Sequence, residues 1–272
     1  MKQLIFVALF LVFSINAQKA AHTKKYHYYD ANFKEIPFLK FKKQEKSKLF
    51  KTVTYQNDTA YIKKLMYNEV FGNLDKTKHQ QMKKLYSVRY HIDTTKTWFI
   101  HYIDSIPDKE KMPKKSGNAY YNKNNELIGY VPYGSNDALF DSISSKSSYH
   151  KHMRNYEDYI TDIKKEIQSF EKGETAELIH FYNTNHGIEK EVLENYNYYK
   201  DSYSVLKKSF KEAVKSYQVI IIYPDGQFYF SFYGNKNYVS FGGSSNTTSK
   251  LLKKKYFNKK RKKWEKSVAK IL

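Results

Sequence analysis

The chain has 272 residues, a net charge of +21 from 48 basic and 27 acidic side chains, and no cysteine. That length can bury a sizeable core as one large or two small domains. The absence of cysteine excludes thiol catalysis, disulfide staples and a lipid-modified N-terminal cysteine. Mean hydropathy is −0.77, but 27 Tyr and 18 Phe supply apolar area that such a mean undercounts, so the chain reads as globular and not disordered.

Residues 1–17 have the pattern of a cleavable export signal. Lys2 gives the positive start, Leu4 to Phe13 an apolar run, and Ser14-Ile15-Asn16-Ala17 a small, polar cleavage region that would leave Gln18 as the new N-terminus. The run is shorter than the ~20 apolar residues that span a bilayer, and nothing later is long and apolar enough to do so. Removal of Lys2 leaves a net charge near +20. The basic excess is lysine, since the only arginines are Arg89, Arg154 and Arg261. Lysine attracts anions as a hydrated point charge, whereas arginine grips phosphate with a planar fork. Enrichment in Lys, Asn, Tyr and Ile is also what an AT-rich genome produces.

Tyr26 to Tyr29 leads to a turn at Asp30-Ala31-Asn32 and a short segment at 37–43 opened by Pro37. Leu49 to Tyr55 and Tyr61 to Tyr67 alternate as strands around Gln56-Asn57-Asp58, a hairpin pattern. Lys76 to Tyr86 is helix-like after Asp75, and Thr97 to Ile103 reads as a buried strand. Asn118 to Asn122 and Glu126 to Val131 flank a further hairpin turn. The segment 133–148, rich in Gly, Ser, Asn and Asp, is the expected linker between an N-terminal α+β half, 18–132, and a C-terminal α+β half, 149–272. In the second half Tyr149, Met153, Tyr156, Ile160, Ile163, Ile167 and Phe170 recur at helical spacing, and Gly173 is placed to cap that helix. A strand at Glu177 to Tyr182, a helical segment from Ile188 to about Lys211, and a hairpin of Tyr217 to Tyr223 with Gln227 to Tyr233 around Pro224-Asp225-Gly226 follow. A long basic helix from about Thr248 closes the chain.

His150 and His152 form an H-x-H, but the helix expected there sends the two rings about 200° apart. His180 and His186, with Asn183 between them, form a candidate polar pocket at a strand end. No carboxylate pair completes a metal set beside them, so neither metal nor cofactor is expected. S-x-x-K at Ser148/Lys151 recurs at Ser204/Lys207 and reads as chance in a chain this rich in Ser and Lys. G-x-S-x-G, HExxH, P-loop and dinucleotide patterns are absent. The strongest functional feature is the basic C-terminus. Lys253, Lys254, Lys255, Lys259, Lys260, Arg261, Lys262 and Lys263, with Lys250, Lys266 and Lys270, oppose a single Glu265. Leu252, Tyr256, Phe257, Trp264, Val268 and Ile271 line one side, the pattern of a basic amphipathic helix that lies on anionic membranes. The competing reading packs that apolar side on a sheet and leaves the lysines as a solvated face.

The Asn16-Ala17-Gln18 signal end, the Tyr28-Tyr29-Asp30 opening, the Asp93-Thr94-Thr95-Lys96-Thr97 lead into a strand and the Pro224-Asp225-Gly226 hairpin together resemble small exported proteins of Bacteroidota, a resemblance that brings no known activity. From residue 176 the order strand, helix, strand, hairpin, helix resembles a pared-down thioredoxin-like domain, with Ile179-His180-Phe181-Tyr182 as its first strand. Where that family carries C-x-x-C this chain has His186-Gly187-Ile188-Glu189, its hairpin proline falls at Gln218, and one strand-helix unit is missing. The resemblance therefore implies a binding or structural role without redox chemistry.

The sequence thus predicts an exported, periplasmic or secreted α+β protein with mixed sheets, several β-hairpins and packed amphipathic helices. Its expected role is to bind anionic envelope polymers or a lipid surface and not to catalyse. Nucleic acid would be drawn by the same charge, but export makes it a less accessible partner. The alternatives are a redox-inactive thioredoxin-like domain and a hydrolase using His180 or His186.

Overall fold

In the computed structural model, which describes residues 25–171, 176–210, 218–231 and 250–271, the first hairpin forms where the period-two alternation predicts it. The expected signal at 1–17, the Gly173 cap, the hairpin's last residues 232–233 and the helix start at 248 lie outside the described residues. The chain divides into two compact units, 25–68 with 268–271, and 69–267.

In the first unit β1 (Lys25–Tyr29) is followed by α1 (Phe38–Glu45), β2 (Phe50–Gln56) and β3 (Ala60–Tyr67). β2 and β3 pair antiparallel, and β1 adds to β3 in parallel. The hairpin turns because the Asn57 side-chain oxygen accepts from the backbone of Thr59 at 3.0 Å and Ala60 at 2.7 Å, an Asx turn. Pro37, with its fixed φ, precedes α1, which buries Phe41 against Ile36, Phe50 and Leu65.

The second unit runs β4 (Glu69–Asn73), α2 (Lys76–Tyr90), β5 (Trp98–Ser105), β6 (Gly117–Tyr121), β7 (Leu127–Pro132), α3 (Asp137–Ser144), β8 (Tyr149–Met153) and α4 (Tyr156–Glu171). It continues with β9 (Glu177–Thr184), α5 (Lys190–Glu194), β10 (Tyr198–Lys200), α6 (Val205–Phe210), β11 (Gln218–Ile222), β12 (Gln227–Ser231) and α7 (Lys254–Ala269). Six strands form a mixed sheet in the order β10-β9-β5-β11-β12-β4, parallel over the first three and antiparallel over the rest. A three-stranded antiparallel sheet takes the order β7-β6-β8. The fold is α+β.

Alternation along β5 and β9 decides what each face of the six-stranded sheet buries. Phe99, Leu178, Ile221 and Tyr229 face α4 and α7 through Ile163, Ile167, Phe170 and Phe257. Trp98, Ile100, Ile179, Phe181 and Ile220 face α2 and α6 through Met82, Tyr86, Leu206 and Phe210. Helices therefore cover both faces. Pro224-Asp225-Gly226 joins β11 to β12 as expected; Gly226 sits at φ 83°, where a side chain would be strained.

Three local readings change. Tyr149 to Met153 is an edge strand and not the first turns of a helix, because pairing to β6 satisfies its backbone; the helix begins only after Asn155, whose side chain accepts from the Asp158 backbone at 2.7 Å. His150 and His152 thereby come to lie on one face instead of about 200° apart. The segment expected to be helical from 188 to 211 is broken by left-handed residues Asn197, Tyr203 and Ser204 into α5, β10 and α6. The segment 133–148 holds α3, capped by the Asn136 side chain, and the six-stranded sheet draws strands from both sides of it.

Candidate functional site

The basic helix is anchored before it is exposed. Phe257 is fully buried, its ring centre 4.8 Å from that of Tyr223 and 5.4 Å from that of Phe71, and Trp264 lies 5.9 Å from Phe71. The Tyr223 hydroxyl donates to the Leu251 carbonyl just before the helix. Lys254 pairs with Asp225 at 2.7 Å and sits 4.0 Å above the Tyr223 ring. The Arg261 Nε donates to Glu265 at 2.8 Å and its Nη1 to the Asn73 side chain at 3.1 Å. Beside this last pair a shallow groove is lined by Asn73, Gln227, Asn258, Arg261, Lys262 and Glu265.

Of the eight basic residues singled out in the sequence, Lys254, Lys260 and Arg261 are half-buried, while Lys253, Lys255, Lys259, Lys262 and Lys263 are exposed, as is Lys266. At about 100° per residue, Lys255, Lys259, Lys262, Lys263 and Lys266 share an arc of roughly 100° on the side away from Phe257 and Trp264. These five charges span about 16 Å of helix. The apolar side that would enter a bilayer is thus committed to the sheet core, and what α7 presents is charge.

The polar pocket expected around His180 is not assembled. His180 and Asn183 differ in parity along β9 and point to opposite faces of the sheet, and His186 is exposed in the turn beyond. His180 meets different partners. In register across the sheet stand Tyr198, His180, His101, Val219, Ser231 and Glu69, one from each strand. The His180 ring stacks on Tyr198 at 4.0 Å and lies 5.4 Å from the His101 ring. It is fully buried, and neither ring nitrogen has a hydrogen-bond partner among the described residues. Burial, with His101 alongside, holds it well below the usual histidine range, and burial brings His101 down to about 4. Glu166 of α4 places its Oε1 4.0 Å from His101 Nδ1 and is pushed up to about 7 by burial, with Asp162 adding to the shift. Two neutral imidazoles and a carboxyl that titrates near neutrality therefore meet under α4.

A carboxyl tuned to that range is what general acid-base chemistry requires. However, Val219 separates Ser231 from His101 by two strand spacings, about 9 to 10 Å, so no Ser-His nucleophile pair forms. Sequence reasoning found His180 but not His101 or Glu166. The signal was present as one repeated word, Ile100-His101-Tyr102 and Ile179-His180-Phe181, a histidine set into an otherwise apolar strand. Among the described residues no three His, Asp or Glu side chains converge to hold a metal, and no helix is long and apolar enough to cross a membrane. No family profile, curated protein or solved structure matches this chain.

Proposed function

We propose that the protein binds an anionic surface, lipid or polymer, through the lysine stripe of α7. The observation that carries this reading is the opposition of two sides of one helix: Phe257 and Trp264 pack in the core while Lys255, Lys259, Lys262, Lys263 and Lys266 face outward together. Like charges three and four residues apart cost about 0.2–0.5 kcal/mol per pair, so the stripe is held against its own repulsion by the packing beneath it. Near anionic lipid each lysine adds about 1 kcal/mol at most, which limits five to about 5 kcal/mol, roughly several thousandfold in affinity. An export signal at 1–17 would bring the stripe to the envelope, where such surfaces are found.

This binding is electrostatic and peripheral, because α7 has no apolar side left to insert. The test is sedimentation with phosphatidylglycerol-containing vesicles, with pure phosphatidylcholine vesicles and soluble polyglutamate as the other arms. We expect retention on the anionic vesicles that falls steeply with added salt and is lost when the five lysines become glutamine. Equal retention of that variant, or retention indifferent to salt, would overturn the reading. His180 gives no support to a hydrolase, being fully buried with its ring against Tyr198.

A further inference from the structure

The second histidine pair is exposed. β8 is the edge strand of the β7-β6-β8 sheet, and its period of two puts His150 and His152 on the face shared with Tyr120 and Asn118, their partners in register on β6. Lys151, between them in sequence, points to the other face, its Nζ 4.9 Å from the Tyr121 ring centre and 5.8 Å from that of Tyr149. The charge most able to repel a cation is thereby turned away from the two imidazoles.

The imidazole rings are 5.4 Å apart between centres, with planes at 80°. Two imidazoles bound through one nitrogen each to a tetrahedral ion, at about 2.0–2.1 Å, bring their ring centres to roughly 5 Å. The Tyr133 hydroxyl lies 2.8 Å from His152 Nδ1, which fixes that ring and leaves Nε2 for a ligand, the arrangement by which metal-binding histidines are oriented.

We infer that His150 and His152 chelate a late divalent transition-metal ion, Zn²⁺, Ni²⁺ or Cu²⁺, with Tyr133 orienting the His152 ring and water filling the remaining positions. Imidazole ligands select these ions over Mg²⁺ and Ca²⁺, which prefer oxygen. The inference is independent of the lysine stripe.

The experiment is titration of the metal-free full-length protein with Zn²⁺ alone, followed by calorimetry and by competition with a chromophoric chelator. We expect one ion bound, at least tenfold weaker binding in each of His150→Ala and His152→Ala, and several-fold weaker binding in Tyr133→Phe. All three positions are exposed, so these variants should fold, and circular dichroism checks that they do. His186→Ala, on a separate exposed turn, should bind as the wild type does. Binding that survives loss of both β8 histidines, that falls equally with His186→Ala, or that yields to equimolar Mg²⁺ overturns the inference.

Discussion

Glu166 is a carboxyl whose surroundings carry its titration into the neutral range. Its side chain is 26% exposed, and its titration is raised from 4.5 to about 7. A raised carboxyl pKa means the folded state holds a proton that the unfolded state has released, so Glu166 lowers stability as pH rises from about 4.5 to about 7. His101 and His180 act in the opposite sense. Burial lowers both, so each favours the folded state as pH rises toward the range where unfolded histidine gives up its proton; for His101 that window runs from about 4 to 6.5. Glu166→Gln should therefore gain stability relative to the wild type by about 2 kcal/mol more at pH 8 than at pH 5, read from urea unfolding at both. An unchanged difference would mean that the carboxyl is solvated. His180→Phe keeps a ring against Tyr198 and removes two buried nitrogens without partners, so urea unfolding should find it as stable as the wild type or more so. The sequence made His180 visible as a histidine in an apolar strand, but not its partners. His101 and Glu166 lie 79 and 14 residues before it, and only strand register and the docking of α4 bring them together.

At the scale of elements, α7 combines two functions on opposite sides. Removing the anchor with Phe257→Ala should cost about 3 to 5 kcal/mol, since the ring is fully buried among Phe71, Tyr223 and the sheet. Replacing Lys255, Lys259, Lys262, Lys263 and Lys266 by Gln should do the reverse, raising stability at low salt by about 1–2 kcal/mol as several like-charge pairs disappear. Chemical unfolding at low and high salt measures both effects, and the second should fade as salt is added. Because Trp98 and Trp264 pack within the protein core, vesicle binding should leave tryptophan emission unshifted; a blue shift would indicate insertion. Hairpins and capped helices were legible in the sequence because their signals are local: Asp75 before α2, Asn57 in the β2–β3 turn, Asp225-Gly226 in the last hairpin. β8 was not, because Tyr149 and Met153 happen to extend the helical spacing of α4 and nothing local announces the pairing to β6. Asn155, as the cap of α4, was the available clue.

For the whole molecule, charge and fold separate cleanly. The α+β class followed from alternating and helical patterns, whereas the order of the six-stranded sheet, which joins β4 to β12 and β5 to β9 and β11, depends on contacts remote in sequence. The lysine excess was evident from composition, but composition could not say which lysines are occupied and which are presented. The structure separates Lys254, held by Asp225, from the five that share the outer arc of α7. If residues 1–17 direct export, intact-mass analysis of the secreted or periplasmic product should find a chain beginning at Gln18. Anionic-surface binding by α7 is tested by vesicle sedimentation across ionic strength, from about 0.01 M, where the Debye length is about 30 Å, to about 0.15 M, where it is about 8 Å. The wild type should be retained on phosphatidylglycerol-containing vesicles at low salt and released as salt rises, while the five-lysine variant should not be retained at any salt. Retention of the variant equal to that of the wild type would contradict it.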